Sequence, residues 1–176
     1  MEPLPVELMN TVRAGHDALA TREEALAWLR GVDAWPEVVR EWLPTPRGLR
    51  LDELRELRDA LRVLAADVTG RASEGDPDAA ADVVNRCCAL APQWSSLRWP
   101  AAREPRSAGR PGELLLSLLA EGAVELFTGE QRSALRACLA PNCVRYFVKQ
   151  HPRREWCCAG CGNRARVARH YERHHH

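Results

Sequence analysis

The sequence predicts a mainly α-helical protein with one small β-hairpin, followed by a compact cysteine-rich module. Three observations carry this. Apolar residues recur at three- and four-residue steps through the first 130 residues or so. Two close pairs of cysteines follow, Cys138/Cys143 and Cys157/Cys161. Charge divides along the same line: residues 131–176 hold ten Lys/Arg against two Asp/Glu, and residues 1–130 hold fifteen against twenty-two. A chain of 176 residues has room for one full domain and a small appendage. The division is drawn at 1–135 and 136–176.

The elements follow in order. Residues 4–14, "LPVELMNTVRA", read as a short helical element. Thr21 with Glu24 is a capping-box pattern that opens a helix closing near Gly31. Pro36, Pro44 and Pro46 break the next stretch into turns and short pieces. The clearest helix runs from Asp52 to Thr69, with Leu54, Leu57, Leu61, Leu64 and Val68 on one stripe and Gly70 as its stop. After the loop "SEGDPD", Asp78 to Leu90 is a second amphipathic helix. Trp94, Leu97 and Trp99 sit among breakers and read as a hairpin. Glu113 to Phe127 is apolar enough to be the centre of the core, and "EQRSALRACLA" reads as a last helix leading into the cysteines.

Those cysteines have metal-ligand spacing. Cys138 and Cys143 enclose four residues, Cys157 and Cys161 enclose three, and thirteen lie between the pairs. Zinc takes four soft ligands in a tetrahedron, and thiolates at two tight turns supply them. Pro141-Asn142 suits one turn, and Gly160 and Gly162 suit the other. "VRYFVK" between them reads as a strand, with "EWC" returning beside it. The outcome is a treble-clef-like zinc module: knuckle, hairpin, knuckle, helix. Some forty residues bury little apolar surface, so metal supplies the stability. Cys158 also stands at zinc spacing from Cys161, so the residues alone leave Cys157 and Cys158 as alternatives. Cys87 and Cys88 read as small apolar core residues, and no metal site is read into His174–His176.

Cys161-Gly162-Asn163-Arg164, preceded by Trp156-Cys157 and by the Cys138/Cys143 pair, resembles the CGNR zinc-finger family over about residues 137–173. The arginine-rich "ARVARHYERH" fits that resemblance. The family's finger follows a mostly helical bacterial domain called ABATE, and "LPVELMNTV" is similar to that domain's opening segment. The resemblance implies a bacterial, stress-responsive, DNA-binding transcription regulator. It also implies Cys157, directly after the tryptophan, as the third ligand beside Cys138, Cys143 and Cys161.

On a helix, Arg166, Arg169 and Arg173 form a basic stripe, with Arg164 at its start. Val167, Ala168 and Tyr171 fall on another side, fit to pack against the hairpin. Arg145, Lys149, Arg153 and Arg154 extend the stripe from the hairpin. Guanidinium forks match phosphate geometry, so DNA is the expected partner; specific reading by one such module needs a second copy, hence a homodimer. The competing reading docks the basic finger on protein, including the acidic domain of its own chain. Arg164 has a structural alternative as a donor to knuckle carbonyls, and Asn163 reads as a helix cap or a brace for a sulfur turn. Nothing marks an enzyme: His16 with Asp17 reads as a cap, there is no phosphate loop or nucleophile motif, and four thiolates leave zinc no open position. Trp28, Trp35, Trp42, Trp94 and Trp99 read as core, with a pocket for a small ligand as the rival. No secretory signal or membrane span is visible, so the expected location is the cytoplasm.

Overall fold

The computed structural model describes residues 2–43 and 47–174. The breaks expected at Pro44 and Pro46, and the last two histidines, lie outside the described residues. Two long helices organise the body. The first, α4 (Leu51–Thr69), buries Leu54, Leu57, Leu61 and Ala65 and ends at Gly70. Gly70 takes φ +67°, the left-handed geometry that lets a helix stop without a Cβ clash. The second, α6 (Pro111–Thr128), is apolar nearly all round. Leu115, Leu116, Leu119, Ala120, Ala123 and Leu126 are buried, as expected of a helix enclosed by its neighbours. Its one buried hydroxyl, Ser117, donates to the carbonyls of Cys88 and Ala91 (3.1 and 3.2 Å).

Around this pair pack α1 (Leu4–Met9), α2 (Arg22–Arg30), α3 (Glu37–Trp42) and α5 (Pro77–Cys88). The α2 capping box is present: the Glu24 amide donates to Thr21 Oγ1, and the Glu24 carboxylate accepts from the Thr21 amide. On α5 the inward stripe is Ala80, Val84 and Cys87. Burial, followed by the nearby Glu121 carboxylate, pushes the Cys88 thiol up to about 11.

Short antiparallel pairs complete the chain. β1 (Val12–Arg13) and β2 (His16–Asp17) form a small hairpin the sequence does not announce. Asp17 belongs to a brace, accepting from the Leu19 amide at 2.8 Å and from buried Arg58 at 2.6 Å. β3 (Gln93–Arg98) pairs with β4 (Ala102–Ser107) as the expected hairpin, Trp94 opposite Arg106 and Leu97 opposite Arg103. Its tryptophans are not core. Trp94 is 53% and Trp99 82% exposed, whereas Trp35 is buried and meets Trp28 edge-on at 6.2 Å. The small apolar cavity between α4, α5 and α6, about 260 Å³, is lined by Leu64, Val84 and Phe127 rather than by tryptophan.

The helix expected over "EQRSALRACLA" is instead a 3-10 turn, Glu130–Ala134, followed by β5 (Leu135–Ala137). Gly129 stops α6, and Leu135 then turns inward while Arg136 faces out, the two-residue period of a strand. β5 pairs with β6 (Tyr146–Val148), Leu135 opposite Val148. The finger hairpin therefore encloses the first knuckle, and "EWC" is a bend leading into α7 (Ala159–His174), not a return strand. β5 spans the junction drawn at residue 135, and Leu135, Tyr146 and Val148 belong to the same core as α4 and α6. Truncating Leu119 to Ala is expected to cost about 3 kcal/mol in urea unfolding, and Thr21→Ala about 1 kcal/mol through lost capping.

Candidate metal centre

The two cysteine pairs reach one point by different local routes. β5 delivers Cys138 into a knuckle closed by two backbone bonds, Cys143 N–H to Ala140 O (3.0 Å) and Cys138 N–H to Arg145 O (2.9 Å). Asn142 takes φ +59°, a left-handed position that asparagine tolerates better than most residues. The second pair lies on the entry to α7, with Cys161 in its first turn. Gly162 lies close under the Trp156 ring there, where a Cβ would stand 3.1 Å from the ring and make a tight contact.

The sulfurs of Cys138, Cys143, Cys157 and Cys161 all lie within 4.8 Å of one another. Cys143 stands 3.8 Å from Cys157 and 3.7 Å from Cys161, with 3.3 Å between Cys157 and Cys161. Zinc–thiolate bonds of about 2.3 Å imply tetrahedron edges of about 3.8 Å. The set therefore fits zinc, and every cysteine is a free thiol rather than half of a disulfide. Cys158 is exposed and stands outside this group, with its Sγ taking an Arg145 N–H at 3.0 Å.

Charge accounts for the donors around the sulfurs. Burial raises the Cys143 thiol, but the Arg145 amide and the sulfurs of Cys138 and Cys161 outweigh it and bring it down to about 7. Burial and the adjacent Cys161 and Cys138 sulfurs push Cys157 far up. Sulfurs this close cannot all be thiolates without a cation among them. With zinc, four thiolates still leave a charge of about −2. Arg145 and Arg164 answer it, donating to Cys161 Sγ at 3.8 and 3.1 Å. Burial opposes the Arg145 cation, yet the sulfurs hold its pKa above the usual arginine value. Arg164 thus reaches sulfur rather than the knuckle carbonyls.

The helical body grips this module through its backbone. The Asn10 amide donates to Tyr146 O and accepts from Tyr146 N–H, both at 2.9 Å. Arg71, just past the end of α4, donates to Cys138 O (2.7 Å) and Cys143 O (3.3 Å). Arg62 on α4 donates to Met9 O and Val144 O. Both guanidiniums lie over the Tyr146 ring, at 4.9 and 5.5 Å from its centroid. Glu2 accepts from the Val148 amide at 2.9 Å and pairs with Arg154 at 2.5 Å. These bonds join residues 53 to 152 positions apart, so no local pattern marks the pairings.

The basic residues divide. Arg154 is turned inward: besides Glu2 it bonds Val148 O and Cys157 O and lies over the Phe147 ring, which removes it from the outward basic surface. Arg166, Arg169 and Arg173 are exposed and bond only within α7 among the described residues, to Asn163 Oδ1, Ala165 O and Arg169 O. Asn163 is therefore not a cap; α7 starts four residues earlier, and Asn163 steadies Arg166. Arg153 is exposed and Lys149 half-buried. The packed face of α7 is Cys161, Gly162 and Ala165, while Val167 and Tyr171, expected against the hairpin, are 54% and 60% exposed. Arg13, which the sequence reading passed over, shares an open cavity of about 370 Å³ with Asn142, Arg145 and Arg164.

Two family models match the chain. One, ABATE, described as "Putative stress-induced transcription regulator", covers residues 2–130. The other, described as "CGNR zinc finger", covers residues 134–174. Neither description is enzymatic. No curated protein matches the chain. No helix among the described residues is long and apolar enough to cross a membrane.

Cys157→Ser is expected to lower bound zinc well below one equivalent, whereas Cys158→Ser keeps it; elemental analysis of the purified proteins checks both. Asn10→Ala is expected to keep the zinc but expose the Tyr146 amide to rapid hydrogen exchange, because two backbone groups lose their partner.

Proposed function

The chain belongs to the ABATE family, and from that premise we propose that it is a transcription regulator whose finger contacts DNA. In this reading Cys138, Cys143, Cys157 and Cys161 hold one zinc ion. Four thiolates saturate it, so the metal fixes structure and leaves no position for a substrate. The division of labour falls near residue 135: the helical domain senses a signal or brings two copies together, and the finger meets the duplex.

The observation that carries the DNA reading is the free basic stripe. If the positive finger existed to neutralise the acidic body, its arginines would be spent on that body. Arg154 is, through Glu2. Arg166, Arg169 and Arg173 are not; they stand in solvent with no carboxylate partner among the described residues. Arg164 and Arg153, with Lys149 at the edge, widen this surface, and Arg13 joins it from the body. Guanidiniums so arranged suit a row of phosphates. Val167 and Tyr171, exposed on the same helix, favour a second reading in which α7 docks on a protein surface.

Salt separates the two. The zinc-loaded protein is expected to bind mixed-sequence duplex at low salt, with affinity falling steeply as salt rises. Arg166→Ala, Arg169→Ala and Arg173→Ala together are expected to flatten the slope of log K against log salt by about 2.7, roughly 0.9 per lost phosphate contact. Fluorescence anisotropy measures both. Absence of duplex binding at low salt discards the DNA reading and leaves protein docking.

A further inference from the structure

The finger does not absorb a second exposed apolar feature, the β3–β4 arm. Six-residue strands make an arm about 20 Å long. Trp94 and Leu97 line it and Trp99 stands at its tip; Leu97 is 73% exposed, the tryptophans as given above. Isolated exposed leucines need no explanation, but two tryptophans and a leucine on one protruding hairpin do. The arm is also a basic island in an acidic domain, with Arg98, Arg103 and Arg106 against Glu104.

Beside the root of the arm lies a groove of about 410 Å³ between α3 and α6. Its floor is Val38, Leu114 and Leu118, and its rim carries Glu37 and Glu41. Val38 is 48% exposed. Gln93, Pro105, Arg106 and Ser107, at the base of the arm, form one wall. Groove and arm are thus adjacent and differ in character: one concave and apolar with two carboxylates on its α3 rim, the other convex, apolar and basic.

We infer that two copies of this chain dimerise by exchanging arms, each arm lying in the groove at the root of the other. A two-fold axis beside the arms makes the contact reciprocal, since each copy offers both surfaces. The apolar tip meets the apolar floor, and Arg103, whose neighbour is Ser95 rather than a carboxylate, reaches the acidic rim. Nucleic acid suits the arm less well. Arg98 and Arg106 already share Glu104, so less of the arm's charge is available to phosphate, and the duplex backbone offers Leu97 nothing apolar. Size permits it: tryptophans bury about 150–250 Å² each, so each arm brings roughly 400 Å² into the contact and the two exchanged arms together reach the low end of interface sizes. Such a dimer supplies the second finger that the DNA reading calls for. It is measured without DNA, so either can fail alone.

Sedimentation velocity of the full zinc-loaded chain tests it. The unmodified chain is expected to run as a dimer at micromolar concentration. Leu97→Asp with Trp99→Ala is expected to raise the dissociation constant at least a hundredfold while far-ultraviolet circular dichroism and zinc content stay unchanged. Glu41→Arg is expected to weaken the dimer, and adding Arg103→Glu to restore it in part. A monomer at every concentration up to about 100 μM, weaker than any interface of this size usually is, overturns the arm exchange. So does an arm variant that dimerises like the parent. If the parent is monomeric and the arm variant loses duplex affinity, the arm belongs to nucleic acid and the exchange is equally overturned.

Discussion

Mutual repulsion of sulfur is the constraint from which the rest of the molecule follows. Four cysteines share a space less than 5 Å across, two of them fully buried. As thiolates they need a divalent cation, and even then a negative residue remains for guanidiniums to answer. Arg145 and Arg164 both donate to Cys161 Sγ. The arginine of the Cys-Gly-Asn-Arg run thus supports the cluster from an exposed position, and the arginines that touch no sulfur begin two residues later along α7. Charge compensation and charge display adjoin on a single helix.

A second consequence concerns how two parts become one body. By composition the chain splits into an acidic helical part and a basic finger. By packing it does not, because Tyr146 sits in the main core with arginines from α4 and its C-terminal end against its ring. The finger is small, and a metal alone would hold it as a bead on a string. Backbone bonds from Asn10, Arg62 and Arg71 fix its orientation relative to α4 and α6. A change in the helical body therefore has a stiff route to the finger, through the packing around one aromatic ring.

Helices were legible where period and punctuation agreed. The α2 capping box, the leucine stripe of α4 with Gly70 behind it, and the apolar run of α6 each state the same answer twice. The cysteine spacing was equally plain, because ligand chemistry tolerates few alternatives. β5 was hidden because three residues are too few to display a period, and "SALRACLA" has helix-forming composition. Val167 and Tyr171 face outward because the face of α7 that packs is the one carrying Cys161 and Ala165, and at about 100° per residue it lies well away from theirs. Trp94 and Trp99 were misread because composition assigns tryptophan to the interior, whereas a two-stranded arm has no interior. Long-range clamps such as Arg71 to the knuckle leave no trace in a local pattern.

One property of those clamps reaches beyond stability. Asn10, Arg62 and Arg71 take hold of amide and carbonyl groups of residues 138, 143, 144 and 146, and these groups are the same whatever side chains the finger carries. The outer residues of α7 are therefore free to diverge while the seat beneath them stays fixed. A lineage of such proteins can retune its recognition repertoire by drift on one exposed face, with the ancestral mounting inherited intact.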